Sequence, residues 1–182
     1  SPRTSDPFNP DGINRSFLSD KEMIYPVIEA STVTCPASNY VTGYFPNYFL
    51  YPERTQGMLA ISMTGSELDA VCSAALVGRN IIMTAAHCVA DSGKWYADWV
   101  FVPGFNGTNN WHPYGVGLAK YVFIYSGWFN NSYWPADVAF IILKQSLGDQ
   151  VGWLGFKVNQ AREQRWIQVG YPANYPYQWV TL

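Results

Sequence analysis

The sequence predicts an all-β fold, and three observations carry that prediction. Short apolar runs rich in Ile, Val, Phe and Trp recur along the chain, each bounded by Gly, Pro, Asn or Ser. Their spacing suits a barrel or a sandwich of short strands. No stretch of useful length repeats its apolar residues at the helical interval, so helix is expected to be scarce.

The elements follow in chain order. Residues Ser1 to about Leu50 show no period and are rich in Pro, Asn, Ser and Asp, as in Ser1-Pro2-Arg3-Thr4-Ser5-Asp6-Pro7. They read as an extended arm or the remnant of a pro-segment. Within them Tyr40 to Phe49 is aromatic and is expected to pack over the body of the domain. Regular structure begins at Gly57-Met58-Leu59-Ala60-Ile61-Ser62-Met63. Cys72 to Val77 and Ile81 to Thr84 flank the turn signal Gly78-Arg79-Asn80, so a hairpin sets Cys72 beside Cys88. Val89 to Gly93 turns away, and Trp99 to Val102 is a strand ended by Pro103-Gly104. A Gly/Asn-rich loop, Phe105 to Tyr114, leads to a strand over Ala119 to Tyr125. Ser126 to Pro135 is an aromatic loop, and Val138 to Leu143 is the next strand. Gln145 to Ala161 crosses to further strands at Gln164 to Val169 and Gln178 to Leu182.

Two stretches carry chemistry. In Ile81-Ile82-Met83-Thr84-Ala85-Ala86-His87-Cys88 a buried strand ends in two small residues, so the histidine leaves the strand at a fixed place. About fifty residues later Asp137 precedes the apolar run Val138-Ala139-Phe140-Ile141-Ile142-Leu143. Thr84-Ala85-Ala86-His87-Cys88 resembles the histidine motif of chymotrypsin-like serine proteases, and Asp137 to Leu143 resembles their aspartate motif. Val169-Gly170-Tyr171-Pro172 resembles a strand near the start of their second barrel, most like the glutamyl-endopeptidase branch. The resemblance implies a chymotrypsin-like double β-barrel, with the first barrel complete and the second only begun. The division it implies is an arm at 1–56, the first barrel at 57–147, and a linker with the first strands of the second barrel at 148–182. It also implies a disulfide between Cys72 and Cys88. Such a loop of about 16 residues is worth roughly 3 kcal/mol.

The implied activity is peptide hydrolysis by a His-Asp-Ser triad. His87 is the expected general base, since a neutral imidazole takes a hydroxyl proton near neutral pH and returns it to the leaving amine. Asp137 is the expected carboxylate that orients it. The family's order is His, Asp, Ser, yet no Gly-Asp-Ser-Gly-Gly motif stands in the sequence, nor an Ile-Val-Gly-Gly activation sequence. The expectation is therefore a zymogen-like precursor whose companion C-terminal chain carries the serine, with this chain inactive alone. The branch resemblance hints at acidic polypeptide substrates. Ser73 and Thr84 stand near His87 in sequence, but as residues within strands they are not nucleophile candidates. Asp91 and Asp98 lack a following strand of the same kind, and His112 reads as a loop residue.

Other features set the compartment. Cys35 is left over from the cysteine pair, as a free thiol or as an inter-chain disulfide to the companion. The sequons at Asn14, Asn106 and Asn130 fit a secreted glycoprotein. No signal peptide is visible, so the chain either never had one or is a processed form. A net charge of −2 argues against nucleic acid, and the apolar runs fall far short of a membrane span. No Gly-rich phosphate loop and no metal-ligand spacing appears, so no cofactor and no metal is expected. Two rival readings share these residues. One is a non-catalytic protease homologue acting as a binding or regulatory protein. The other is an aromatic-rich binding module for carbohydrate, which leaves the His87–Asp137 spacing to chance.

Overall fold

The structure, a computed structural model, describes residues 3–4, 42–44, 48–107, 112–159, 168–172 and 179–181. Strands β1 (Arg3–Thr4) and β2 (Thr42–Tyr44) belong to the arm. Then come β3 (Gln56–Ser62), β4 (Ala70–Gly78), β5 (Ile81–Thr84), β6 (Ala90–Asp91), β7 (Lys94–Trp95), β8 (Asp98–Pro103) and β9 (Gly117–Ile124). A short helix α1 (Ser126–Asn131), strand β10 (Ala139–Leu143), a single turn α2 (Gly148–Val151), and strands β11 (Gln168–Gly170) and β12 (Trp179–Thr181) complete the order.

Neighbouring strands run β8-β3-β4-β5-β10-β9, and β9 pairs back onto β8 through Val100↔Leu118, which closes the barrel. β1 takes up the edge of β9 beyond β8, with Arg3 opposite Val122. The barrel is filled by Leu59, Ile61, Leu76, Ile82, Trp99, Phe101, Val122, Ile141 and Leu143, every one of them almost free of solvent. Each such side chain contributes about 1.5–3 kcal/mol through burial. The alternation is clear in β10, where Ala139, Ile141 and Leu143 point inward and Phe140 and Ile142 do not.

β3 is buried on both faces, which is why it reads as a continuous apolar run. Leu59 and Ile61 face the barrel. Met58 and Ala60 join Val100, Val102, Phe105 and Tyr171 in a second core outside it. Gly57 admits no side chain, since a Cβ there would meet the Phe101 ring and the Val102 carbonyl at 2.4–2.6 Å. The β6–β7 hairpin turns on Ser92 and Gly93, both with positive φ (48° and 73°), as a two-residue hairpin turn requires.

The fold agrees with the expected all-β class, and the described elements refine several boundaries. The aromatic stretch expected as a loop from Ser126 to Pro135 contains α1 and a 3₁₀ turn at Trp134–Ala136. α2 lies in the segment expected only to cross. The strands expected at 164–169 and 178–182 appear as β11 and β12, with 160–167 outside the described residues. β2 of the arm pairs with β12, Gly43 opposite Val180, so this part of the arm belongs to a second sheet of order β11-β12-β2. Asn14 and Cys35 lie outside the described residues.

The start of this second sheet is tied to the barrel. Tyr171 N donates to Ser73 Oγ at 2.7 Å, and the Tyr171 ring stands 6.0 Å from that of Phe105. The barrel's own hairpin is pinned to α2. Gly148 N donates to Arg79 O at 2.8 Å, and the Arg79 guanidinium meets Asp149 at 2.6 Å.

Candidate active site

The register of two strands creates the site. β5 and β10 are antiparallel neighbours, with Thr84 opposite Ala139. The chain leaving β5 and the chain entering β10 therefore meet at one end of the barrel. His87 lies just past β5 and Asp137 just before β10. Ala85 and Ala86 let the backbone turn, and Ala86–Cys88 forms a single 3₁₀ turn held by Cys88 N to Ala85 O and Val89 N to Ala86 O. On the other side, Asp137 caps the 3₁₀ turn Trp134–Ala136, its N–H donating to Trp134 O at 3.0 Å.

Both carboxylate oxygens of Asp137 are occupied by His87. Oδ1 accepts from the His87 backbone N–H, and Oδ2 pairs with Nδ1 of the ring, each at 2.8 Å. With an ionised carboxylate, which can only accept, and a neutral imidazole, the shared proton resides on Nδ1 and Nε2 keeps its lone pair. The Asp137 side chain is 13% exposed and that of His87 52%. The carboxylate is thus sequestered, while the imidazole reaches solvent where a reactant can approach it.

Neighbouring groups fix the turn that bears His87. Cys72 and Cys88 are disulfide-bonded, with Cα atoms 6.2 Å apart, which anchors the turn to β4. Two buried indoles bind carbonyls just after the histidine: Trp99 Nε1 donates to Cys88 O at 3.0 Å and Trp128 Nε1 to Ala90 O at 2.9 Å. The ring of Trp128 stands 6.2 Å from that of His87. Sequence reasoning did not single out either indole for this task. Both partners are backbone carbonyls, which leave no mark in residue identity.

The remaining candidates take structural places. Thr84 Oγ1 donates to Ser73 O at 2.8 Å, while Ser73 Oγ accepts from Tyr171 N. Asp98 accepts from Trp99 N, and Asp91 from the Ser92 hydroxyl. Asp91 and Asp69 also act on Tyr96, whose phenol is pushed up first by burial and then by these two charges. His112 is exposed, in the loop before β9.

Comparison with known proteins adds three findings. The protein-family model described as Trypsin matches residues 51–178. The chain is 30% identical over 112 residues to the extracellular metalloprotease of Bacillus subtilis (strain 168), covering 61% of this chain and 35% of that protein. Among solved structures, the protease Anisep from Arthrobacter nicotinovorans is 28% identical with a TM-score of 0.65, over 77% of this chain and 65% of that one. A Glu endopeptidase in complex with MPD shares the fold at 21% identity and a TM-score of 0.61, over 76% of this chain and 65% of its own. The chain thus spans about a third of the curated relative and just under two thirds of the solved structures.

The name of the Bacillus relative raises the question of a metal. Among the described residues, the donor group close enough to share an ion is Cys72, His87 and Cys88. Its two sulfurs are bonded to each other, which leaves one imidazole where a zinc site needs three or four ligands. These residues do not fit a metal.

Proposed function

The chain belongs to the trypsin family, and from that membership we propose that it supplies the base and the orienting carboxylate of a secreted serine endopeptidase. The observation that carries this reading is the two-point grip of Asp137 on His87, which sets the ring's tautomer and direction at once.

In the proposed reaction a serine hydroxyl attacks the carbonyl carbon of the scissile peptide bond and passes its proton to Nε2 of His87. Asp137 stays ionised, holds the ring by Nδ1–H and stabilises the imidazolium. The tetrahedral intermediate collapses, the C–N bond breaks, and His87 returns the proton to the leaving amine. Water then repeats the sequence on the acyl-enzyme. The substrate is a polypeptide. The serine is proposed to lie on a companion C-terminal segment of the same precursor, which the extent of the relatives supports. Cys35 is the proposed covalent link to it.

Secretion is supported by the Cys72–Cys88 disulfide and by the extracellular protease among the relatives. Among the described residues no helix is long and apolar enough to cross a membrane. Of the sequons, Asn130 is exposed on α1 and is the proposed glycan site. Asn106 is a poor acceptor, being 5% exposed with its amide nitrogen donating to the Tyr48 hydroxyl at 2.6 Å.

The test is made on native material. Mass measured before and after reduction, with fluorophosphonate labelling, is expected to reveal a second peptide that carries the label. In that two-chain protein, Asp137→Asn should lower kcat on the order of 10⁴-fold, because the wrong tautomer then faces the serine. Labelling that persists undiminished in both Asp137→Asn and His87→Ala would overturn the triad. Release of no labelled peptide would overturn the two-chain reading.

A further inference from the structure

We infer that Trp128 is a positioning residue for His87, a role that rests on the catalytic reading of the histidine and extends it. Trp128 is 4% exposed although it belongs to a six-residue helix whose flanking residues Ser126, Asn130 and Asn131 are open to solvent. The helix is too short to hold itself and has no side-chain cap at its start. What fixes it is contact with the segment that follows the histidine. The Trp128 indole donates to Ala90 O, three residues past His87, in a buried hydrogen bond. Its neighbour Phe129 stacks against Trp95 of β7 at 5.2 Å.

The same helix leads directly into the carboxylate. Tyr133 N donates to Gly127 O, and Asp137 N to Trp134 O, so little slack separates Trp128 from Asp137. The Trp134 ring meets Trp128 edge-to-face at 5.6 Å. One indole therefore ties the His-bearing segment to the Asp-bearing segment. It also places an aromatic ring 6.2 Å from the imidazole, with the planes tilted by 56°.

This contact matters because the imidazole is half exposed. Its backbone is held by the 3₁₀ turn and by the disulfide at Cys88, but neither sets the side-chain rotamer. Among the described residues the ring's hydrogen bond is that of Nδ1 to Asp137 Oδ2, and it holds as long as the two segments keep their separation. Loosening the Trp128–Ala90 bond leaves a buried carbonyl unpartnered and frees that separation to change.

The experiment is NMR of the full chain with ring-labelled histidine. The unmutated chain is expected to give a downfield, slowly exchanging His87 Nδ1 proton, which Asp137→Asn abolishes. Trp128→Phe, which keeps a ring and removes the N–H, should make that proton exchange about tenfold faster and mix the tautomers, while the barrel amides stay protected. Phe101→Leu, a core change away from this end of the barrel, should leave the His87 proton as it was. An unchanged signal in Trp128→Phe, or an equal loss in Phe101→Leu, would overturn the inference. If Asp137→Asn leaves the signal intact, the His–Asp reading itself fails, whatever Trp128 does.

Discussion

Among the described residues the Tyr171 hydroxyl has no hydrogen-bond partner, although the residue is 5% exposed. A buried donor without a partner costs free energy, so Tyr171→Phe is expected to stabilise the fold by about 1 kcal/mol in urea unfolding. The effect should grow in alkali. Burial raises this phenol above its ordinary value of 10.0, so the folded form holds its proton when the unfolded chain has lost it. The wild type should lose stability as pH rises past that value, and the variant should lose less. Gly57 presents the opposite case. A methyl group at this position has no room between the Phe101 ring and the Val102 carbonyl, and Gly57→Ala is expected to cost about 1–3 kcal/mol in the same assay.

At the scale of elements, the β4–β5 hairpin and α2 are clasped by the Arg79–Asp149 pair. The hydrogen bond from Arg79 holds the Asp149 carboxyl below its ordinary value of 3.8. Its contribution is therefore present above that value and is lost as pH falls through the lowered one. Both groups are open to water, so the contribution is small and screened. Asp149→Asn is expected to lower the melting temperature slightly at neutral pH and low salt, and not at all in acid or high salt. The strands around this clasp were readable because each is a short apolar run between breakers, as Ile81–Thr84 illustrates. α1 was not readable. Ser126–Asn131 contains a glycine and two asparagines and has no apolar period, and only its tertiary contacts make it helical. The His87–Asp137 pair was legible in its motifs, whereas the indole bonds to Cys88 and Ala90 end on backbone atoms that any sequence supplies.

For the molecule as a whole, the Cys72–Cys88 disulfide closes a loop inside the barrel whose ends are otherwise held by β4 and the 3₁₀ turn. Replacing both cysteines by alanine is expected to cost roughly 3 kcal/mol, read as a lower urea midpoint with a somewhat steeper slope, because the unfolded chain without the cross-link exposes more surface. The second sheet has a different dependence. Its outer strand β2 comes from residues 42–44, and its central strand β12 from residues 179–181. A ribosome makes the chain from the amino end, so β2 emerges early and travels without a neighbour while the entire barrel is synthesised and closes. The strand made first completes its sheet last, and any translational stall short of residue 179 leaves an open edge for chaperones to guard.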